Sequence, residues 1–194
     1  MTALRWEWRT FGAELDGAEA RLTGLPPVRV DDSEELYILS SRVEGSIKVR
    51  DGKLDVKRLE RVSEDGLEQW NPVAKAEFPI AATDVASLLA ALDVSVPSLH
   101  RERYALDQLV ADVVEPHDDL VAVPVRKHRD HYLLDGCRAE LTGVRSGPRT
   151  TRTVAVEDDD PRIVRSTVEA LGLWSRSNVS FPRGLAGLTG LDWW

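Results

Sequence analysis

Residues 46–57 read SIKVRDGKLDVK, and their side chains alternate between charged and apolar along the chain. Successive side chains of a β-strand point to opposite faces, so this pattern predicts two strands with one charged and one apolar face. The charged face would carry Lys48, Arg50, Lys53, Asp55 and Lys57. Water against that face would make it an ordinary surface, whereas a bound anion would make it the wall of a site.

The same alternation recurs elsewhere in the chain. The segment RWEWRTF alternates Arg5, Glu7 and Arg9 with Trp6 and Trp8. Further charged pairs on one strand face are Lys75 with Glu77 and Arg138 with Glu140. One such strand is typical of any sheet with a solvated face, but the recurrence of Arg, Lys, Asp and Glu favours a shared charged lining. An eight-stranded barrel would turn these faces inward and has room for one small ligand.

Hydrophobic periodicity predicts about eight strands with few helices. The strands are expected at 4–11, 35–41, 46–51, 53–60, 67–78, 121–132, 134–144 and 149–157, and the helices at 81–93, 98–114, 160–171 and 182–190. Strands that follow one another directly favour antiparallel pairing over repeated βαβ units. The predicted fold class is therefore α+β, an eight-stranded and mostly antiparallel closed barrel with helices packed outside, in one domain over residues 1–194.

Two stretches of the chain share an outline. Residues 49–94 and 125–173 each combine a basic strand, a second strand, a Gly-containing loop, a third strand and a helix. Residue identity between the two stretches is low, so a chance likeness stays open as the alternative. A true repeat would build the barrel from two βββα-like halves that line one site together.

Composition narrows the classes of partner. The 194 residues carry a formal net charge of −8, which disfavours non-specific nucleic-acid binding because that needs a basic surface. The sequence has no run of 18 apolar residues and no signal-peptide pattern. We therefore expect no membrane partner and a cytoplasmic location. With Cys137 as the single cysteine, an internal disulfide and a multi-cysteine metal site are excluded.

Three minor features have ordinary interpretations. His128 and His131 fall on opposite faces of a strand, so we do not expect them to share a zinc ion. Cys137 lies on the apolar side of its strand and is expected to be a packed thiol. Helix 98–114 is expected to cover the barrel as an amphipathic helix, and a homodimer contact through it is left open.

In their order along the chain, these positions resemble the motifs of the CYTH or triphosphate tunnel metalloenzyme superfamily. Arg5, Glu7 and Arg9 stand where the family has Glu-x-Glu-x-Lys. The other matching positions are Lys48 and Arg50 of a paired basic strand, Lys57 of the next strand, Lys127 and Arg129 of a Lys-x-Arg strand, Glu157 of a closing acidic strand, and the tail NVSFP at 178–182. The resemblance spans nearly the whole chain. It implies an eight-stranded tunnel that binds a phosphorylated small molecule, such as a triphosphate, nucleotide or polyphosphate.

The resemblance also implies roles for individual residues. Phosphate would be bound by Arg5, Arg9, Lys48, Arg50, Lys57, Lys127, Arg129 and Arg138. Glu7, Glu140 and Glu157 would be catalytic and would hold Mg²⁺ or Mn²⁺, which prefer oxygen ligands. The implied reaction is hydrolysis of a phosphoanhydride by a metal-dependent, triphosphatase-like phosphohydrolase, although some family members form cyclic AMP instead.

The sequence departs from the family pattern at two acidic positions. Arg5 replaces the first glutamate, and Ala155 stands where a second glutamate of the closing strand is expected. Each missing carboxylate removes negative charge from a metal site whose affinity depends on ligand charge. The alternative is a metal-poor tunnel that binds an anionic metabolite, as a sensor or as an enzyme with metal-free chemistry. Whether the protein is an enzyme stays open at this point.

Overall fold

The computed structural model describes residues 4–193, and the centre of the molecule is a barrel of antiparallel strands. In chain order the strands are β1 (Arg5–Gly12), β2 (Arg29–Ser40), β3 (Gly45–Arg50), β4 (Lys53–Val62), β5 (Glu68–Glu77), β6 (Ile80–Ala81), β7 (Arg103–Tyr104), β8 (Leu120–Leu134), β9 (Cys137–Ser146) and β10 (Arg149–Asp158). All belong to the barrel except β6 and β7, which form a separate two-stranded ribbon.

The barrel closes through its first strand. Around the ring the order is β1, β10, β9, β8, β2, β3, β4 and β5, and β5 pairs back with β1. Glu7 of β1 lies opposite Glu157 of β10 on one side and opposite Glu68 of β5 on the other. Closure leaves the ring without a free edge, which is the usual way an all-antiparallel sheet avoids edge pairing. The predicted fold class is confirmed.

The two predicted halves correspond to two arcs of the ring. Strands β3, β4 and β5 lie side by side, as do β8, β9 and β10. Helix α2 (Ala82–Ala91) follows the first arc, and helix α4 (Pro161–Leu171) follows the second. Strand β2 joins the arcs on one side of the barrel and β1 joins them on the other. The site inside the barrel is therefore lined by both halves, as the repeat predicts.

Five α-helices occur in the described residues. They are α1 (Asp16–Thr23), α2 (Ala82–Ala91), α3 (Leu106–Leu109), α4 (Pro161–Leu171) and α5 (Phe181–Thr189), and α3 runs on into a π-helical turn over Val110–Val114. Three of them match the predicted helices at 81–93, 160–171 and 182–190, but α1 was not predicted. None of the helices within residues 4–193 is long and apolar enough to cross a membrane.

The helix predicted over 98–114 is wrong in its first half. Residues Arg103–Tyr104 form β7, which pairs with β6, and the helix begins only at Leu106. The Tyr104 ring is buried, and its hydroxyl accepts hydrogen bonds from the backbone N–H groups of His100 (3.0 Å) and Arg101 (3.4 Å). A helix would direct those N–H groups along its own axis, so burial of Tyr104 fixes the extended path. The homodimer contact considered for this segment stays a prediction.

The outer faces of the strands pack under the helices. Trp6 and Trp8 of β1 are buried in one cluster with Val164 and Val168 of α4, which confirms that the indoles lie on the packed outer side. Cys137 is buried in the same cluster as a free thiol, and burial raises its pKa. A second cluster, under α2, contains Ile47, Val49, Leu54, Val56, Val85, Leu88 and Leu89. With apolar residues facing out, the charged residues of the same strands must face in.

Helix α5 covers one end of the barrel. It contacts β1, β2, β3 and β10, which lie on opposite sides of the ring. Ser180 caps its N-terminus by accepting a hydrogen bond from the backbone N–H of Arg183 at 3.2 Å. The rings of Phe11 and Phe181 pack with their centroids 5.7 Å apart. The interior is thus closed on this side by the start of α5.

Two glycines of α5 offer a matched test of how this helix is seated. A Cβ at Gly184 would lie 2.2 Å from Cε2 of Phe11, whereas a Cβ at Gly187 would meet nothing within 4 Å. We expect Gly184→Ala to lower the free energy of unfolding by about 1–3 kcal/mol through overpacking. Gly187→Ala should raise it by about 0.5–1 kcal/mol, because alanine is the better helix former. Urea unfolding measures both, and equal effects would contradict the seating of α5 against Phe11.

Candidate functional site

The barrel encloses a cavity of about 640 Å³ that every barrel strand helps to line. Its cationic lining residues are Arg9, Arg29, Lys48, Arg50, Lys57, Lys127, Arg129 and Arg138. Its anionic lining residues are Glu7, Glu35, Asp55, Glu140 and Glu157. The cations outnumber the carboxylates, so the cavity favours an anionic guest even though the whole chain is acidic.

The structure brings together most of the predicted site residues. Each predicted phosphate-binding residue except Arg5 lines the cavity, and so do the three predicted metal ligands Glu7, Glu140 and Glu157. Arg5 is not itself a lining residue, but it contacts one: its Nη1 lies 2.8 Å from Oε1 of Glu157. Lys75 and Glu77, which share the alternating pattern, do not line this cavity, and Glu77 instead pairs with Lys53 at 3.4 Å.

Glu35 is the central counter-charge of the cavity, and the sequence analysis missed it. Its side chain has no exposed area, and its carboxylate lies 3.0 Å from Nζ of Lys127 and 3.6 Å from Nη1 of Arg50. Arg129 also donates to it, and the Tyr37 hydroxyl donates at 3.0 Å. Burial alone would raise the pKa of Glu35, but the surrounding cations, Lys127 first, lower it to about 2.

Glu35 was missed because the predicted strand begins at this residue, which leaves the alternating acids before it outside the strand. The strand predicted at 35–41 in fact begins at Arg29, and its first half pairs with β8. Asp31 and Glu35 therefore lie on the face of β2 that meets Arg129, and Oδ1 of Asp31 is 2.8 Å from Nη1 of that arginine. Alternation of Asp31, Ser33, Glu35 and Tyr37 along the chain was the available signal.

Lys127 is enclosed between a carboxylate and two aromatic rings. Its Nζ lies 2.7 Å from the Tyr37 hydroxyl and 3.4 Å from the centroid of the Phe181 ring. The rings of Tyr37 and Phe181 are stacked, with their centroids 4.9 Å apart. Burial lowers the pKa of Lys127 to about 7, although Glu35 opposes the shift. Phe181 comes from α5, so this helix supplies part of the cavity wall.

Arg9 joins two of the predicted metal ligands. Its Nε lies 2.8 Å from Oε1 of Glu7, and its Nη1 lies 3.6 Å from Oε1 of Glu140. Burial disfavours the charge of Arg9, but the two carboxylates outweigh it and raise the arginine pKa. Burial would likewise raise the pKa of Glu140, but Arg9 and then Lys127 lower it to about 2. One guanidinium thus contacts Glu7 and lies close to Glu140.

Glu157 is held in the same way. Its Oε1 lies 2.8 Å from Nη1 of Arg5 and 3.4 Å from Nη1 of Arg138. Arg5 also lies 3.6 Å from Asp159. Ala155, which replaces the expected second carboxylate, sits opposite Arg9 and Glu140 in the strand register. Guanidinium groups, and not free carboxylate oxygens, therefore dominate this side of the cavity.

The donor set does not fit the predicted Mg²⁺ or Mn²⁺ site. Within residues 4–193, no group of three or more His, Cys, Asp or Glu side chains is placed to hold a metal ion. Glu7, Glu140 and Glu157 do face one cavity, but an arginine nitrogen lies within 4.0 Å of Oε1 of each. A hard divalent cation needs several free oxygen ligands, and a neighbouring guanidinium repels it.

The opposite wall carries two lysines without a close ion-pair partner. Lys48 and Lys57, from β3 and β4, form no ion pair within 4.0 Å among the described residues. Burial lowers the pKa of Lys48; the charge of Glu35 opposes this shift, whereas Lys57 and Arg50 add to it. Asp55, opposite Lys48 in the strand register, has a buried Oδ1 atom without a hydrogen-bond donor. The two ammonium groups are therefore open to an anionic ligand, while the Asp55 oxygen calls for a donor.

His131 is a lining residue that the sequence analysis did not select. It faces the cavity, with Nε2 3.0 Å from Oδ2 of Asp31, whereas His128 on the outer face lies 2.8 Å from Asp32. The prediction that the two histidines point to opposite faces is confirmed. Asp31 and Arg29 hold the His131 ring at the cavity wall.

Glu68 is a buried carboxylate of β5 that lies close to other acids. Its partner in the described residues is the indole N–H of Trp70, which donates to it at 3.2 Å. Burial raises the pKa of Glu68 to about 7, and the charges of Glu44 and Glu7 add to the shift. Glu44 is itself bonded to Ser180 and Arg183 at the start of α5. Proton release from Glu68 therefore places a second charge beside the anchor of α5.

Glu68→Gln should remove a pH dependence of stability. Below pH 4.5 the Glu68 carboxyl is protonated in both the folded and the unfolded chain. Between pH 4.5 and about 7 it is ionised in the unfolded chain but still protonated in the folded one, so the free energy of unfolding falls as pH rises. Over this pH range we expect the free energy of unfolding of the wild type to fall by on the order of 2–3 kcal/mol more than that of Glu68→Gln. Urea unfolding at several pH values measures the difference. The same pH slope in both proteins would contradict the raised pKa.

Two solved structures share this fold over nearly the full length of both chains. A candidate adenylyl cyclase from Hippeastrum with a dominant triphosphatase activity is 14% identical, with a TM-score of 0.54 and 100% of each chain covered. A conserved hypothetical protein from Pyrococcus furiosus is 17% identical, with a TM-score of 0.50, covering 95% of this chain and 99% of the other. No protein-family model and no curated protein matches the sequence. At these identities the likeness establishes the fold alone, and it agrees with the predicted closed barrel.

Proposed function

We propose that this chain binds a small molecule carrying a short chain of phosphates inside the barrel cavity. The observation that carries the proposal is the wall formed by Lys48, Arg50 and Lys57, where neither lysine forms an ion pair within 4.0 Å among the described residues. Charge-assisted hydrogen bonds from Lys and Arg are the usual means of holding phosphate oxygens in proteins. The cavity volume of about 640 Å³ suits a ligand of nucleotide or triphosphate size.

The paired cations would act differently from the unpaired ones. Arg129 and Lys127 already share the charge of Glu35, so they would fix the position of a ligand with less net attraction. Arg138 is half exposed and shares Glu157 with Arg5, so it would meet the end of the ligand nearest the solvent. The strongest attraction would come from Lys48 and Lys57, which form no ion pair within 4.0 Å among the described residues.

Hydrolysis of a phosphoanhydride is the second candidate. Its support is the shared fold with the Hippeastrum protein, for which a dominant triphosphatase activity is described. The carboxylates Glu7, Glu140 and Glu157 do not fit a metal ion, so we assign no metal-dependent step to them. The competing role is that of a sensor that binds an anionic metabolite without converting it.

Removal of one unpaired lysine tests binding. Lys57→Met removes a charge-assisted contact of about 1.5–3 kcal/mol and should weaken inorganic triphosphate binding roughly 10- to 100-fold. Lys53→Met is the matched control, since Lys53 lies on the same strand, is mostly exposed and pairs with Glu77 outside the cavity. Isothermal titration calorimetry measures both. Equal affinities of the two variants would contradict the assigned wall.

Turnover separates the enzyme from the sensor. Phosphate release from ATP, GTP and inorganic triphosphate is to be measured with EDTA and with Mg²⁺ or Mn²⁺. Release from any of the three supports hydrolysis. Binding of triphosphate without release in any buffer supports the sensor, and the absence of both would contradict the proposed function.

A further inference from the structure

We infer that Arg5 and Arg9 take the place of a divalent metal on the carboxylate side of the cavity, so that phosphate binding needs no metal ion. The inference rests on the proposed function and specifies how that site balances its charge. It concerns Glu7, Glu140 and Glu157, which the family resemblance assigns to Mg²⁺ or Mn²⁺. In this chain those carboxylates have arginine partners, of which Arg9 and Arg138 line the same cavity and Arg5 contacts Glu157 from beside it.

Arg9 lies between two carboxylates, as a bound cation would. Its Nε contacts Glu7 at 2.8 Å and its Nη1 lies 3.6 Å from Glu140. Nη1 also lies 3.4 Å from the hydroxyl of Thr153, while Nη2 has no hydrogen bond to a described residue. Arg9 lines the cavity, so its remaining donors are available to a phosphate oxygen. A fixed guanidinium thus offers both charge and directed donors.

Arg5 is the arginine partner of the third carboxylate, that of Glu157. It replaces the acid expected at this position and contacts Glu157 at 2.8 Å, so one substitution removes a metal ligand and neutralises another. Its Nε–H is buried and donates to no acceptor among the described residues, and Oδ1 of Asp159 lies 3.6 Å from it. Arg138 lies 3.4 Å from the same glutamate.

The charges on this side are already balanced. The carboxylates of Glu7, Glu140 and Glu157 are matched in number by the guanidinium groups of Arg5, Arg9 and Arg138. A divalent ion would have to displace Arg9 and strand that charge in a buried place, which is costly. A guanidinium also has no open coordination position, so this side of the cavity holds phosphate without activating water as a metal does.

Metal binding without any phosphate ligand is the first test. Electron paramagnetic resonance of Mn²⁺ with the purified protein should detect no bound ion in the wild type. Arg9→Met keeps a side chain of similar length but removes the guanidinium from between Glu7 and Glu140, and it should gain a Mn²⁺ site. Lys57→Met is the matched control, because Lys57 is a cavity cation that forms no ion pair within 4.0 Å among the described residues, and it should gain none.

A second variant guards against misfolding of Arg9→Met. Arg5 is about one-third exposed, so Arg5→Glu should be tolerated; it adds a carboxylate beside Glu157 and should also gain a Mn²⁺ site. Thermal unfolding verifies that each variant is folded. A Mn²⁺ site in the wild type, or none in either folded variant, would overturn the inference.

Triphosphate binding with and without metal is the second test. Calorimetric titration of the wild type with inorganic triphosphate should give dissociation constants within about threefold in EDTA and in MnCl₂. Binding that requires Mn²⁺ would overturn the inference and leave the proposed function standing. Failure to bind in either buffer would overturn the proposed function, while the Mn²⁺ measurements on the variants would still decide the inference.

Discussion

Closure of the barrel turns a dozen or so charged side chains toward one cavity, and their mutual neutralisation is the constraint on which the structure depends. Glu35 shows how it is met, because one buried carboxylate serves Lys127, Arg129 and Arg50. Removing one partner of such a set typically costs about 3–5 kcal/mol, since the others stay buried and uncompensated. The cavity is therefore a single electrostatic unit in which each charge depends on its neighbours.

The same constraint divides the cavity into two functional sides. Where carboxylates and arginines are matched, as at Arg9 and Glu7, the charges are satisfied within the chain. Where Lys48 and Lys57 form no close ion pair within the described part of the chain, we expect a ligand to supply negative charge. The acidic surface of the protein and its basic interior are thus compatible, because an anion that enters meets the interior charges at close range while the surface charges are screened.

Strand alternation made most of the fold predictable. The charged faces around Lys48 and Arg138 and the outward indoles of Trp6 and Trp8 followed from a period of two, which any closed sheet must obey. The path around Tyr104 and the identity of Glu35 as the central acid were not predictable, because both depend on long-range packing. The geometry of the site was missed for the same reason. The family resemblance groups Glu7 with Glu140 as metal ligands, but only the folded structure shows that Arg9 lies between them.

A crystal structure of the protein grown with inorganic triphosphate and MnCl₂, with data collected at the manganese edge, tests the central claim most directly. The account predicts phosphate density against Lys48 and Lys57, with the Arg9 guanidinium still between Glu7 and Glu140 and no anomalous peak beside them. An anomalous manganese peak bound by these glutamates, with Arg9 displaced, would contradict it.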